Sequence, residues 1–251
     1  MSNESRPAPH SLNSQHRGSQ NSGSEQSGKR YTGDVEVGGA ADVRTLRTVE
    51  IRKAAVGEMD NNAYLLTCLV SGVQMLIDAA ADFPRLMRLI REGSASERLD
   101  GVITTHSHWD HVQALPQIVA KTDARTYAGA ADVPDIPTRT TNPVRHGDVI
   151  RVGVNDLEVI ALRGHTPGSI ALLFRGEGDD GDHLFTGDSL FPGGVGATQG
   201  DSARFRQLLD DVQQRLFDQL ADSTWVYPGH GADTTLGAER PHLPEWRERG
   251  W

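Results

Sequence analysis

The sequence predicts an α/β fold, and three features of the chain carry this prediction. Short apolar and β-branched runs, such as residues 99–103, have the length of buried strands. Four of these runs end beside a histidine or an aspartate, and residues 204–220 repeat apolar side chains at helical spacing. The 251 residues are enough for one sizeable core. In α/β proteins, loops at the carboxyl ends of the strands usually build the site.

The first 42 residues differ in composition from the rest of the chain, and this difference places the predicted domain boundary. Residues 1–42 are rich in Ser, Asn, Gln and Gly and almost free of apolar residues, which predicts a disordered tail. The folded domain is expected over residues 43–251. It begins with residues 43–51, whose alternating pattern indicates one half-buried strand.

The remaining elements follow from local patterns and turn residues. A hairpin is predicted from strands at 63–70 and 73–78, and a helix is predicted at 83–92. The proline-punctuated segment 131–143 is expected to be irregular and to wall a cleft. His183 is expected to be exposed at a hairpin, and the terminal tryptophans are expected to pack on the domain. Further strands are predicted at residues 125–128, 149–154, 157–162, 183–186 and 224–227.

Residues 104–111 hold three histidines and an aspartate between a predicted strand and a helix that is expected to begin near Asp110 or His111. His106 and His108 are two apart on an extended loop, so both can point to one metal ion. Asp110 and His111 lie on the next turn and can face a second ion. Imidazole and carboxylate groups are ligands for zinc, iron and manganese. A polar loop without function is disfavoured, because unpaired buried histidines are costly.

Three later strand ends carry one more candidate ligand each. His165, Asp188 and His230 each follow a short apolar strand, and flanking glycines allow a close backbone approach or a sharp turn. Together the four strand ends supply five histidines and two aspartates. A closed structural zinc site uses only four ligands, so this set favours a larger centre.

These motifs resemble the metallo-β-lactamase superfamily. The sequences His-Thr-Pro-Gly-Ser, Gly-Asp-Ser-Leu-Phe and Pro-Gly-His-Gly are similar to its glyoxalase II-like branch, the hydroxyacylglutathione hydrolase-like proteins. The likeness covers roughly residues 43–251 and implies a four-layer αβ/βα sandwich. The residues that carry it are, in chain order, His106, His108, Asp110, His111, His165, Asp188 and His230.

The resemblance implies two divalent metal ions roughly 3.5–4 Å apart. Zn²⁺ is the expected metal, and Fe or Mn is the alternative. A hydroxide that bridges them would attack the carbonyl of a small thioester or ester, with Asp110 as the catalytic residue that orients it. Asp78 resembles the superfamily's aspartate that steadies the histidine loop, and capping of the next helix is an equal alternative. The implied ligands are His106, His108 and His165 for the first ion, Asp110, His111 and His230 for the second, and Asp188 for both.

Two departures from the family pattern narrow the expected substrate. Classical glyoxalase II carries a C-terminal helical domain that holds glutathione. Only about twenty residues follow His230 here, so we expect that glutathione site to be missing. True β-lactamases have cysteine or serine in place of Asp188, so antibiotic hydrolysis is not expected. Lactonases keep all seven ligands, and a lactone therefore stays an alternative substrate.

Two further classes stay open. Mononuclear iron persulfide dioxygenases share the pattern and bind one iron through the positions of His106, His165 and Asp188. They carry an arginine nine residues after the aspartate, where this chain has Ala197, and this difference disfavours that activity. A metal-binding module without catalysis would need a closed site, in which the metal has no exchangeable water.

Composition limits which partners and which cellular compartment we expect for this protein. The formal net charge of −9 argues against nucleic acid as a partner. The chain has no run of eighteen apolar residues and no apolar signal-peptide core, so we expect a cytoplasmic protein without a membrane partner. The single cysteine, Cys68, excludes an internal disulfide, and its surroundings predict a buried hydrophobic side chain. The expected partner is a small-molecule substrate, and the oligomeric state is left open.

Overall fold

The computed structural model describes residue 1, residues 30–94 and residues 97–250. Contacts divide the chain into two units, Met1–Arg30 and Tyr31–Trp251, and the second unit carries the fold. Most of the predicted disordered tail lies outside the described residues. The folded unit starts before the predicted boundary at residue 43, because Tyr31 is buried and its hydroxyl donates to Asp233 Oδ2 at 2.7 Å.

Seven strands form the first sheet. They are β1 (Asp42–Thr45), β2 (Val49–Val56), β3 (Asn61–Cys68), β4 (Gln74–Ile77), β5 (Gly101–Thr104), β6 (Arg125–Gly129) and β7 (Asn142–Val144). They lie side by side in chain order. Neighbours from β1 to β4 are antiparallel, and neighbours from β4 to β7 are parallel. The predicted hairpin is the β3–β4 pair.

The second half of the chain forms a six-stranded sheet and a small hairpin. In chain order the strands are β8 (Val149–Val152), β9 (Asn155–Ala161), β10 (Ile170–Arg175), β11 (Asp182–Gly187), β12 (Leu190–Phe191), β13 (Gly194–Val195), β14 (Trp225–Pro228) and β15 (Thr234–Thr235). The sheet order is β15-β14-β11-β10-β9-β8, and β12 pairs with β13 separately. Only the β11–β14 pair is parallel among these described strands.

In the part of the chain that the structure describes, five α-helices flank the sheets. They are α1 (Phe83–Gly93), α2 (Leu115–Thr122), α3 (Ser202–Val212), α4 (Leu236–Glu239) and α5 (Leu243–Arg249). Short 3₁₀ turns, such as Trp109–His111, connect several elements. Within the described parts of the chain, every helix is too short or too polar to cross a bilayer.

Alternation along the strands divides the buried side chains into three apolar cores, which separate four layers. Tyr64 and Leu66 of β3 face the core between the two sheets, together with Leu172 of β10. Leu65 of β3 faces α1 and α2 instead. Leu173 of β10 faces α3 and the C-terminal helices. The predicted four-layer αβ/βα sandwich is therefore confirmed.

Two predicted boundaries in the first half were wrong. Residues 43–51 form two strands, because the chain turns back where the Leu46 N–H donates to Val49 O at 2.9 Å. That turn has no glycine or proline to mark it, so the alternation looked continuous. The helix after the histidine motif begins at Leu115 rather than near Asp110, since a 3₁₀ turn comes first. Proline near the start of α2 suits a first helical turn.

Two predictions in the second half also need correction. The helix predicted over 204–220 begins at Ser202, where Asp201 caps it, and changes after Val212 to a π-helical turn, Gln213–Phe217. Its predicted apolar stripe is nevertheless buried. His183 is buried rather than exposed, because it lies inside β11 and pairs with the Tyr227 hydroxyl at 2.8 Å. Trp246 packs against the domain as predicted, whereas Trp251 lies outside the described residues.

Candidate metal centre

All seven predicted ligands meet at one edge of the sandwich. The first four follow the carboxyl end of β5, and the other three follow the ends of β9, β11 and β14. The structure therefore brings together residues from both sheets, as the strand-end positions predicted. They form two triads that are joined by one carboxylate. The first triad is His106, His108 and His165, the second triad is Asp110, His111 and His230, and Asp188 lies between them.

In each triad the candidate ligand atoms lie within 4.8 Å of one another. His106 Nε2 and His165 Nε2 are 3.3 Å apart in the first triad. His111 Nε2 and His230 Nε2 are 3.2 Å apart in the second. Two imidazole nitrogens that bind one tetrahedral ion at 2.0–2.1 Å would be separated by about 3.3 Å. The observed spacing therefore suits a shared ion in each triad.

The Nδ1 atoms of three of these imidazoles point away from the centre. His165 Nδ1 donates to Ala197 O and His230 Nδ1 donates to Met59 O, both at 2.8 Å. A carbonyl oxygen only accepts, so each ring must carry its proton on Nδ1 and present a lone pair at Nε2. The His111 Nδ1 lies 2.9 Å from Asp78 Oδ2, so its Nε2 also faces the centre and becomes a ligand atom once that ring is neutral. Between neutral rings such lone pairs repel each other, and a cation that lies between them removes this repulsion.

Asp188 is placed to serve both triads. Its Oδ1 lies 3.4 Å from His111 Nε2, and its Oδ2 lies 3.5 Å from His230 Nε2 and 3.7 Å from His165 Nε2. Among the described residues, the buried Oδ1 has no hydrogen-bond partner. An unsatisfied buried carboxylate oxygen is costly, whereas a metal ion would satisfy it. The residues present therefore fit the metal ions that the family pattern implies.

Electrostatics differ between the triads. Burial lowers the pKa of His106 well below its ordinary value, and burial also lowers the pKa of His165. Burial opposes the charged form of His111 too, but the Asp188 and Asp78 carboxylates raise its pKa to about 10. Burial likewise disfavours the Asp188 carboxylate, yet His111 and His230 hold its pKa well below the ordinary range. The second triad therefore holds a proton at neutral pH that a metal must displace.

Asp78 supports the histidine loop, as one of its two interpretations predicted. Its carboxylate accepts hydrogen bonds from the Thr105 N–H at 2.7 Å and the Thr105 hydroxyl at 2.8 Å, besides the contact with His111. Helix α1 is capped by Asp82 instead, which accepts from the Arg85 N–H. The capping interpretation of Asp78 was therefore wrong.

Two supporting residues at the start of β3 carried no sequence signal. The Asn61 amide donates to Asp110 Oδ2 at 2.8 Å, and the Asn62 amide donates to the carbonyls of Pro228 and Gly231. Both amides are buried, so Asn61 holds Asp110 in place and Asn62 holds the backbone on either side of His230. Paired asparagines before a strand also occur as simple turn residues, which hides this role from the sequence.

Gly229, next to His230, must be glycine for steric reasons. A Cβ atom at this position would lie 2.0 Å from Asp188 Oδ1 and 2.9 Å from the His111 ring. Any side chain would therefore displace one of the two groups. The glycine beside the ligand was recognisable in the sequence, and the structure shows which approach requires it.

Residues 56–236 match the family model described as the metallo-β-lactamase superfamily. A hydroxyacylglutathione hydrolase from Fuscovulum blasticum is 40% identical over 137 residues, which are 55% of this chain and 51% of that protein. This chain thus spans about half the length of that curated relative. The structure resembles ETHE1 from Myxococcus xanthus, with 30% identity, a TM-score of 0.66 and coverage of 79% of this chain and 84% of that one.

The structure also resembles TTHA1623 in a di-iron-bound form, with 28% identity and a TM-score of 0.60. That match covers 75% of this chain and 96% of the other. The family match includes every residue of both triads and Asp188. Fold, site and family model agree, and the chain belongs to the metallo-β-lactamase superfamily.

Proposed function

We propose that this protein is a dinuclear metal-dependent hydrolase that cleaves a small thioester or ester. The observation that carries this proposal is the pair of triads that share one buried carboxylate, Asp188. Seven convergent ligands exceed the needs of a closed structural site. A small-molecule substrate in the cytoplasm, as expected from the composition, completes the proposal.

The first triad would hold one ion and the second triad the other, with Asp188 contacting both. Divalent ions bound there supply a hydroxide near neutral pH and an electrophile that polarises a carbonyl. Zinc is the proposed metal, because a three-imidazole triad suits it. Iron is the alternative, and TTHA1623, to which this structure is similar, is described in a di-iron-bound form.

Asp110 is the proposed catalytic residue. Its Oδ2 accepts the Asn61 amide at 2.8 Å and lies 3.3 Å from His230 Nε2. These contacts fix the plane of the carboxylate at the edge of the second triad. A carboxylate held in this way can orient a nucleophile by accepting its proton and can pass that proton to the leaving group.

A thioester is the proposed first substrate class, because the Fuscovulum blasticum relative is named for hydrolysis of an acylated glutathione. The carrier thiol and the acyl group stay open, and a lactone is the alternative. A mononuclear persulfide dioxygenase would need only His106, His165 and Asp188. The second triad is intact here and has its own supports in Asn61 and Asp78, which favours two ions.

The test measures thiol release from S-lactoylglutathione and from simple acyl thioesters, with and without a chelator. We expect turnover by the zinc-loaded protein that the chelator abolishes and that zinc restores. The Asp110→Ala variant, matched in metal content, should lose nearly all turnover. If zinc-loaded protein hydrolyses lactones but neither thioesters nor esters, the proposed substrate class would change to lactones. Oxygen consumption with a persulfide by iron-loaded protein alone would overturn the proposal.

A further inference from the structure

Asp132 is a buried carboxylate that contacts two metal-site loops at once. It is 1% exposed and lies just after β6, outside both triads and outside the pattern of strand-end ligands. Its Oδ2 accepts the N–H of Ser107, the residue between His106 and His108, at 2.9 Å. Burial of a carboxylate is costly unless hydrogen bonds satisfy it, so this placement calls for a reason.

The other partners of Asp132 belong to the loop that carries His165. The Thr166 hydroxyl donates to Oδ2 and the Gly168 N–H donates to Oδ1, both at 2.6 Å. All of its hydrogen-bond partners among the described residues are neutral donors. A charged acceptor makes shorter and stronger hydrogen bonds than a neutral one, and these distances are short.

Close packing reinforces this connection between the loops. A Cβ atom at Gly168 would lie 2.4 Å from Asp132 N, so only glycine permits the approach. A Cβ atom at Gly129 would lie 1.9 Å from Gly168 O. The turn after β6 therefore rests directly on the His165 loop, and Asp132 reaches from there to the backbone between the first two ligands.

We propose that Asp132 is a positioning residue that joins the His106–His108 loop to the His165 loop and sets the geometry of the first triad. The two loops come from different sheets, and the carboxylate accepts from both. Among the described residues, the second triad makes no hydrogen bond with Asp132 and is held by Asn61 and Asp78. This inference rests on the proposed dinuclear function, because it presumes that the first triad holds a metal.

The test titrates zinc into Asp132→Asn in two backgrounds that isolate the triads. His230→Ala damages the second triad and leaves the first, whereas His165→Ala does the reverse. Loss of an outer partner of metal ligands weakens metal affinity by about 10–100-fold. We expect that loss in the His230→Ala background and less than about a twofold change in the His165→Ala background. The Co²⁺ absorption spectrum should change in the first background only.

Asp42→Asn is the matched control. Asp42 is also a buried carboxylate that collects backbone donors, from Thr32 and Gly33, but it touches neither loop. This variant should lower the melting temperature of the metal-free protein and leave the zinc affinity of the first triad unchanged. An Asp132→Asn variant that behaves in the same way would have a structural role only, which would overturn the inference.

Thr166 offers a second route if Asp132→Asn does not fold. Thr166→Val removes one of the donors, whereas Thr166→Ser keeps the hydroxyl. We expect the first triad to bind zinc more weakly in Thr166→Val and with wild-type affinity in Thr166→Ser. Equal zinc affinities in these two variants would count against the inference. Wild-type protein that binds no metal would instead defeat the proposed function. Wild-type metal binding with unchanged affinity in Asp132→Asn would overturn the role of Asp132 alone.

Discussion

The two triads differ in what surrounds them, although they share Asp188. Three imidazoles form the first triad, and burial keeps the pKa values of His106 and His165 low. The second triad contains a carboxylate and has Asp78 behind it, so carboxylates dominate and the pKa of His111 rises to about 10. Neutral nitrogen ligands suit zinc, while oxygen ligands also suit harder ions such as manganese. The same fold thus brings together two clusters of side chains that differ in the type of donor atom and in the protons that they hold.

The largest expected effect comes from removing the carboxylate that both triads share. Asp188→Ala should lower kcat/KM by about 10⁴-fold or more, because it removes a ligand from each ion and with it several kcal/mol of electrophilic stabilisation. Metal analysis should show reduced occupancy of both triads. Asp156→Ala, at a half-exposed site paired with Arg151, is the control and should change nothing. Full occupancy of one triad in Asp188→Ala would show that the carboxylate is not shared.

Removal of Asp110 should affect chemistry more than fold. Asp110→Ala should lower kcat by about 10²–10⁴-fold, the usual contribution of a positioned acid or base. Only the second triad should lose metal affinity, and saturating zinc should restore occupancy without restoring kcat. Steady-state kinetics at saturating zinc, together with circular dichroism, would measure both. If turnover were restored at full metal occupancy, Asp110 would act only as a metal ligand and not as an acid or base.

The next largest expected effect is a difference between the triads in the number of protons that metal binding releases. In the metal-free protein His111 is protonated at pH 7, since its pKa is about 10, and a metal must displace that proton. Zinc affinity of the second triad should therefore rise about tenfold per pH unit between pH 7 and 9. His106 and His165 are already neutral there, because their pKa values lie below the ordinary value. The first triad should be nearly independent of pH.

Titrations of His165→Ala and His230→Ala proteins at pH 7, 8 and 9 would measure these slopes. A pH indicator in weak buffer should record about one proton released per ion bound by the second triad. If zinc affinity changed equally with pH in the two triads, the electrostatic difference described above would be contradicted.

Substitution of Asn61 should have the smallest effect on metal binding. Asn61→Ala removes the amide that holds Asp110, so the second triad should lose about tenfold in zinc affinity while the first keeps its own. Asn142→Ala, which removes a half-buried amide on β7 that donates to Thr141, is the control. Isothermal titration in the His165→Ala and His230→Ala backgrounds would resolve this difference. A loss that is shared by both triads would indicate general loosening of the fold.

The sequence predicted the site more completely than the elements that support it. The seven candidate ligands stand beside glycines at strand ends, and the structure brings all of them together. Asn61 and Asp132 carried no comparable signal, since each acts through a partner more than twenty residues away in the chain. Met59 and Ala197 contribute only backbone carbonyls, which any residue could provide.

The errors in the fold have a common cause. The turn between β1 and β2 has no turn residues, and the π-helical turn after Val212 keeps the apolar pattern of an α-helix. His183 looked exposed beside an acidic glycine loop, but tertiary contact with Tyr227 takes it inside. Local patterns specify period and polarity, whereas partners from distant strands determine where a turn or a polar side chain lies.

Each triad draws ligands from both sheets: the first combines His106 and His108 with His165, and the second combines Asp110 and His111 with His230. A bound ion would therefore be a cross-link between the two halves of the sandwich as well as a reagent. Ions that bind only the native state shift unfolding in proportion to their affinity and concentration. Metal supply would then control how long a molecule survives in the cell, quite apart from how fast it turns over substrate.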